Sequence, residues 1–343
     1  MRYATPINVA DPFFFFDFGH NLPAGKAGKF AFVDHREFGI FKEQNKNRRL
    51  TAVLVTPRRD FKEFALELFR KYKILVATVG SHFPLDLADF LRSKRIKLEV
   101  ALPLYPERAI KTPGEIRNIE DALKRTQTAF RRIEEILRES VIKKDKLLYQ
   151  DQALTSEVLK REVDRVLLEA DMMNTSGLII SCGAHAAIPH HEGHGPIKPH
   201  QPIICDIFPL HRSTGYYADM TRTYVKGKAS PEMQRIYDTI LKSQEAGIAA
   251  VRPGIACAQI DTICSRIIKT PIHGTGHGLG LDIHEPPFLN ARSKEMLQVG
   301  NVITVEPGLY YADRGSARIE DVVVVTKTGC RNLTNYPKVL IIP

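Results

Sequence analysis

The chain has 343 residues, 43% hydrophobic and 26% charged, which suits one small and one larger domain rather than a single core. Its formal net charge of +10 is spread over helix-like segments, with small knots only at KNRR 46–49 and FRKYK 69–73. That pattern reads as a solvated surface and argues against a dedicated nucleic-acid partner. No apolar run reaches the roughly 18 residues of a membrane span, and MRYATPINVADPFFFFDF carries neither a charged leader nor a cleavage site, so a soluble, unprocessed protein is expected.

From Lys29 onward KFAFVDH and TAVLVTP read as strands separated by a polar segment. RRDFKEFALELFRKYK follows, with apolar positions at helical spacing (Phe61, Phe64, Ala65, Phe69), then strand ILVATVG, helix HFPLDLADFLRSKR and strand IKLEVA. This alternation predicts a small α/β domain. His20, His35 and His82 stand alone in it and are assigned structural roles. TPGEIRNIEDALKRTQTAFRRIEEILRES opens on Thr112-Pro113 with Glu115 following and keeps Ile116, Ile119, Leu123, Phe130 and Ile133 at helical spacing, so one long helix and a domain boundary just before it are predicted. SEVLKREVDRVLLEA, with Ser156 as its N-cap, is a second helix leading into strand GLIISCG. Strands dominate from there, interrupted by a helix pair at PEMQRIYDTILKSQEAGIAAV and ACAQIDTICSRIIK.

The five cysteines (Cys182, Cys205, Cys257, Cys264, Cys330) are odd in number and form no CxxC pair, against a disulfide framework or thiolate zinc site and in favour of the cytoplasm. Chemistry gathers instead in PIHGTGHGLGLDIHEPP, 271–287, whose glycines let the backbone come close to a ligand. Four acids occupy strand-end settings: Asp206 in IICDIFP, Asp219 in GYYADMTRTY, Glu306 in NVITVEPGLYY and Glu320 in SARIEDVVVVT. PLHRSTGY would fold the first two onto one hairpin. Facing buried carboxylates are costly unless cations neutralise them. With His277 the five candidate ligands exceed what one tetrahedral ion uses, which suggests two ions roughly 3.5 Å apart. Oxygen-rich ligation favours Mn²⁺ or Co²⁺, with Fe²⁺ or Zn²⁺ as alternatives. His190 and His284 suit hydrogen bonding to a substrate carbonyl or proton transfer, whereas His191, His194, His200 and His211 read as surface residues of polar loops.

HGTGHGLGLDIHEPP, GYYADMTRTY, VEPGLYY and RIEDVVVVT resemble, in order and spacing, the motifs of the pita-bread metallopeptidases: aminopeptidase P, prolidase, methionine aminopeptidase and the related creatinase. The resemblance implies an α+β fold, with a pita-bread catalytic domain over 113–343 and a smaller α/β creatinase-like domain over 1–112. It implies that Asp206 chelates one ion, His277 and Glu306 hold the other, and Asp219 and Glu320 bridge both. His190 and His284 would flank the substrate, His273 would line its pocket, Arg318 would support the site, and Glu306 would take the proton from a metal-bridging water that attacks the scissile carbonyl.

HEPP and the two-domain layout resemble the Xaa-Pro dipeptidase and Xaa-Pro aminopeptidase branch, which implies a peptide substrate with proline after the scissile bond, and a homodimer. The alternatives are methionine removal, a non-catalytic peptide-, protein- or nucleic-acid-binding relative, and metal-free creatinase-like hydrolysis; the complete ligand set speaks against the last two. Two departures stand out. Asp206 and Asp219 lie 219 − 206 = 13 positions apart, two more than is usual in the family, an even insertion that preserves the face each side chain occupies. His185 replaces an asparagine.

Overall fold

The computed structural model describes residues 14–17, 29–45, 50–55 and 60–343; His20, the KNRR knot and the end of TAVLVTP lie outside the described residues. The chain divides into units Met1–Pro106 and Glu107–Pro343, where the sequence placed a boundary at 112/113.

In the first unit the strands Lys29–Asp34 and Thr51–Val55 pair in parallel, as do Val76–Gly80 and Lys97–Ala101. Parallel pairing requires a crossover. The segment after Lys29–Asp34, expected to be merely polar, accordingly contains the helix Phe38–Gln44, and Leu85–Ser93 is the crossover of the second pair; the helix Phe61–Lys71 connects the two pairs. Phe38–Gln44 has no side-chain cap and buries only Phe41, so neither a cap nor a periodic stripe announces it. Asp60 caps Phe61–Lys71 by accepting from the amides of Lys62 and Glu63. His35 and His82 are exposed.

The second unit begins with the helix Pro113–Glu139, where Thr112 and Glu115 form a reciprocal capping box. Ile119, Leu123, Phe130 and Ile133 of its apolar stripe are buried with Ile203, Tyr224, Val302 and Val322. The helix Ser156–Glu169 is capped by Thr155, not Ser156; the Ser156 hydroxyl instead donates to the Ile180 carbonyl at 2.7 Å. Tertiary demand thus shifted the cap by one residue.

Two sheets position the site. One runs Ile179–Cys182, Pro202–Ile207, Met220–Lys226, Ile341–Ile342; the other runs Glu285–Leu289, Gly276–Gly278, Val302–Val305, Asp321–Val325, Cys330–Asn332. The helix pair Pro231–Ala250 and Cys257–Ile268 packs on them through Ile236, Ile240 and Ile260. Between the sheets lies the fully buried Arg222, whose guanidinium donates to the carbonyls of Thr221, Glu320, Tyr336 and Pro337 and to Asp321 Oδ1. Every arm of the fork is used, so a cation with no access to water is fully hydrogen-bonded.

Candidate metal centre

Each acid reaches the site through strand register. Pro202–Ile207 and Met220–Lys226 pair antiparallel with Asp206 opposite Thr221, and Asp219 immediately precedes the second strand. Between the two aspartates the short strand Leu210–His211 pairs with Met172–Met173. In the other sheet Val305 lies opposite Asp321. Glu306 and Glu320, one residue outside that pair, therefore emerge at the same end. The amide of Glu320 donates to the Thr221 carbonyl at 3.1 Å and joins this end to the first sheet.

The glycines of HGTGHG serve strand packing. A Cβ on Gly276 would lie 2.1 Å from the Thr304 carbonyl oxygen, so only glycine lets this strand approach closely enough to present His277. The His277 amide then donates to Thr304 Oγ1 at 3.0 Å, and that hydroxyl donates to Glu306 Oε1 at 3.2 Å.

Asp206, Asp219, His277 and Glu320 are all buried. Ligand atoms of Asp219, His277 and Glu320 lie within 4.8 Å of one another, and His277 Nε2 is 3.2 Å from Glu306 Oε1 and 3.6 Å from Asp219 Oδ2. Burial, then the negative charges of Glu320, Asp206 and Glu306, push the Asp219 carboxyl well above its ordinary range. Burial and the charges of Glu306 and Asp206 do the same to Glu320. Burial alone would also raise Glu306, but the hydrogen bond and charge of His277, with His273 and Arg318, outweigh it and hold that carboxyl down at about 2. Asp219 and Glu320 thus each feel the charges of Asp206 and Glu306.

Within this cluster Asp206 Oδ1 and Glu320 Oε1 are buried with no hydrogen-bond partner. Buried carboxylate oxygens cost several kcal/mol when unpaired, and four carboxylates here face one guanidinium and one imidazole. An oxygen-rich set with one nitrogen and two orphaned oxygens fits divalent cations.

Arg318 spends its fork inside the site, on Asp206 Oδ2 (2.5 Å), the Tyr310 hydroxyl (2.8 Å), Thr221 Oγ1 (3.3 Å) and the Pro189 carbonyl (3.2 Å). It positions Asp206 and the loop bearing His190. His273 pairs with the same Tyr310 hydroxyl at 2.8 Å. His284 is solvent-accessible and packs edge-on to His277, centroids 4.3 Å apart at 80°. Burial and the neighbouring His277 lower its pKa, and exposed His190 is close enough to contribute.

Sequence reasoning passed over Tyr310, the link between Arg318 and His273, and Thr221, whose hydroxyl donates to Glu320 Oε2 at 2.8 Å; their spacing carries no signal. It also passed over the anchor beneath His284, where Glu285 accepts from Lys111 Nζ and Arg108 Nη2, both at 2.6 Å. His211 is not a surface residue. It is buried, with Nε2 3.1 Å from Asp121 Oδ2. His194 and His200 are exposed as expected and His191 is half-buried; His191 and His194 both pack on His185.

The profile of metallopeptidase family M24 matches residues 117–327. The chain belongs to metallopeptidase family M24. An Xaa-Pro dipeptidase of Pyrococcus furiosus is 35% identical over 170 residues, 48% of this chain and 48% of its own length. The crystal structure of the prolidase from Pyrococcus horikoshii OT3 matches with a TM-score of 0.79 at 25% identity, covering 92% of this chain and 87% of that one. The Xaa-Pro dipeptidase from Bacillus anthracis, at 22% identity, shares the fold with a TM-score of 0.84 over 99% of this chain and 91% of its own. The chain spans between 46% and 65% of the length of several curated relatives that it matches. As an M24 protein it has the α+β pita-bread fold, and the family is metal-dependent. No helix among the described residues is long and apolar enough to cross a membrane.

Proposed function

We propose that this M24 chain is a dinuclear metal-dependent exopeptidase acting on the Xaa-Pro bond of dipeptides or peptide N-termini. The observation that carries the reading is the gathering of Asp219, Glu306 and Glu320 about His277, with Asp206 near enough to act on the charges of His277, Asp219 and Glu320, and with two carboxylate oxygens buried and unpaired. Asp206 would serve one ion, His277 and Glu306 the other, and Asp219 and Glu320 both. Mn²⁺ suits this set best, with Co²⁺, Zn²⁺ and Fe²⁺ as alternatives. When bound, two such ions polarise a carbonyl and make water a competent nucleophile near neutral pH.

The chain's own groups supply the rest. Glu306, held ionised at about 2, is an acceptor for the proton that attacking water must lose. His284 packs edge-on to His277, and with His190 it can donate a hydrogen bond to the carbonyl oxygen as charge develops there. Arg318 and Tyr310 hold Asp206 and His273 in place. An Xaa-Pro bond is a tertiary amide without an N–H, so recognition falls to carbonyl and terminal groups. The resemblance of HEPP and of the solved prolidases supports this substrate class.

Turnover of Ala-Pro and of an Ala-Pro-peptide, with and without Mn²⁺, tests the reading. Metal-dependent cleavage of either supports it, and the ratio separates dipeptidase from aminopeptidase. Cleavage of a Met-Ala-peptide with neither proline substrate cut would contradict it.

A further inference from the structure

His185, His191 and His194 bring ligand nitrogens within 4.8 Å of one another, in the loop that also carries His190, and none of the three belongs to the carboxylate centre. His185 and His191 stack with centroids 4.1 Å apart at 10°, and His185 and His194 lie 4.3 Å apart. Three imidazoles this close repel one another as soon as they protonate.

The loop is built rather than loose. Its return stretch runs back along the strand Ile179–Cys182: the Ile180 amide donates to the Glu192 carbonyl at 3.0 Å, and the Ser181 hydroxyl donates to the His191 carbonyl. Gly193 has φ +80°, and a Cβ there would sit 2.0 Å from the Ile180 carbonyl oxygen, so glycine is needed for this approach. The Gly193 amide donates to His191 Nδ1 at 2.9 Å. That bond holds the ring and uses the Nδ1 lone pair, which leaves the ring proton on Nε2; a metal at Nε2 displaces that proton, and the bond from Gly193 gives way to it. His185 and His194 also line a cavity of about 510 Å³, which gives an ion a route in and room for a water as fourth ligand.

We propose that His185, His191 and His194 form a separate transition-metal site, for Zn²⁺ or a metal of similar preference, that staples the loop carrying His190. Three imidazoles with one open position is a known ligand set for zinc, and an all-nitrogen site prefers Zn²⁺, Ni²⁺ or Cu²⁺ where an oxygen-rich one accepts Mn²⁺. One chain would thus hold two metal chemistries side by side. His190 is the neighbour of His191, and the Pro189 carbonyl accepts from Arg318, so a closed staple would stiffen the link between His190 and the carboxylate centre.

The test compares the full-length protein with the double variant His185→Asn/His194→Ala, each saturated with Mn²⁺ and then titrated with Zn²⁺ and weighed by native mass spectrometry. The two proteins share the carboxylate centre, so exchange of Zn²⁺ into that centre cancels in the comparison. The site predicts one more Zn²⁺ per chain on the unmodified protein, bound about 100-fold or more tightly than by the variant. The single exposed substitution His194→Gln covers the case in which the double variant fails to fold, and should give the same loss. Amide exchange across 184–194 should slow when Zn²⁺ is added to the unmodified protein and not to the variant. Equal Zn²⁺ stoichiometry in all three proteins overturns the site; extra Zn²⁺ without slower exchange overturns the staple.

Discussion

Replacing Arg222 by Met tests whether the two sheets are locked together where they deliver their ligands. The substitution keeps apolar bulk but removes a fully buried cation that holds four carbonyl oxygens and Asp321. Breaking a buried ion pair from one side costs about 3 to 5 kcal/mol, mostly because the partner charge is stranded. Asp321 would not be wholly stranded, since Lys338 Nζ and Asn332 Nδ2 each reach its Oδ2 at 2.8 Å. The carbonyls lose a donor each, at a net of roughly 1 kcal/mol or less apiece where water cannot replace it. The lower end, about 3 kcal/mol, is therefore expected. For a unit of this size that corresponds to a fall in Tm of about 6 to 12 °C, measured by calorimetry in excess Mn²⁺. Because Arg222 also holds the Glu320 carbonyl, Mn²⁺ affinity should weaken in parallel. A loss below about 1 kcal/mol with unchanged metal affinity would refute the reasoning.

Two further substitutions probe separate links. His284→Ala should retain bound metal but lose about 10² or more in kcat on Ala-Pro, the scale of a proton-transfer or oxyanion group; unchanged kinetics would return His284 to a structural role. Glu115→Gln probes the capping box, in which hydrogen bonds from Thr112 outweigh burial and lower the Glu115 pKa. A depressed carboxylate stabilises above its unfolded pKa of about 4.3 and ceases to as pH falls through its lower folded value. The variant should therefore be less stable by about 0.3 to 1 kcal/mol at pH 7, with the gap closing below about pH 4. Urea titrations from pH 7 to 3 check this, and a constant gap would contradict it.

The residues most readable from sequence were those whose chemistry is expensive. Asp206, Asp219, Glu306 and Glu320 follow or begin apolar runs, and carboxylates at such positions imply neutralisation before any geometry is known. Thr112 and Glu115 were equally legible, because a capping box is local. What escaped was set by tertiary partners. Phe38–Gln44 is about two turns of helix without a cap, required only because its flanking strands run parallel. Thr155 rather than Ser156 became the N-cap because the Ser156 hydroxyl was claimed by Ile180 from another strand. His211 reads as a loop residue until Asp121, ninety positions upstream, is seen beside it. The glycines of HGTGHG were expected to let the backbone approach a ligand; in the structure Gly276 admits the Thr304 carbonyl, Gly274 the Leu289 carbonyl and Gly278 the carbonyls of Glu285 and Pro286.

The most direct measurement is the metal content and Ala-Pro turnover of the unmodified protein beside Asp219→Ala and Glu320→Ala after removal of weakly held ions. The carboxylate centre should hold two Mn²⁺ in the unmodified protein and lose both, with turnover, in either variant, because each acid would serve both ions. Full Mn²⁺ content with undiminished turnover in either variant would contradict it.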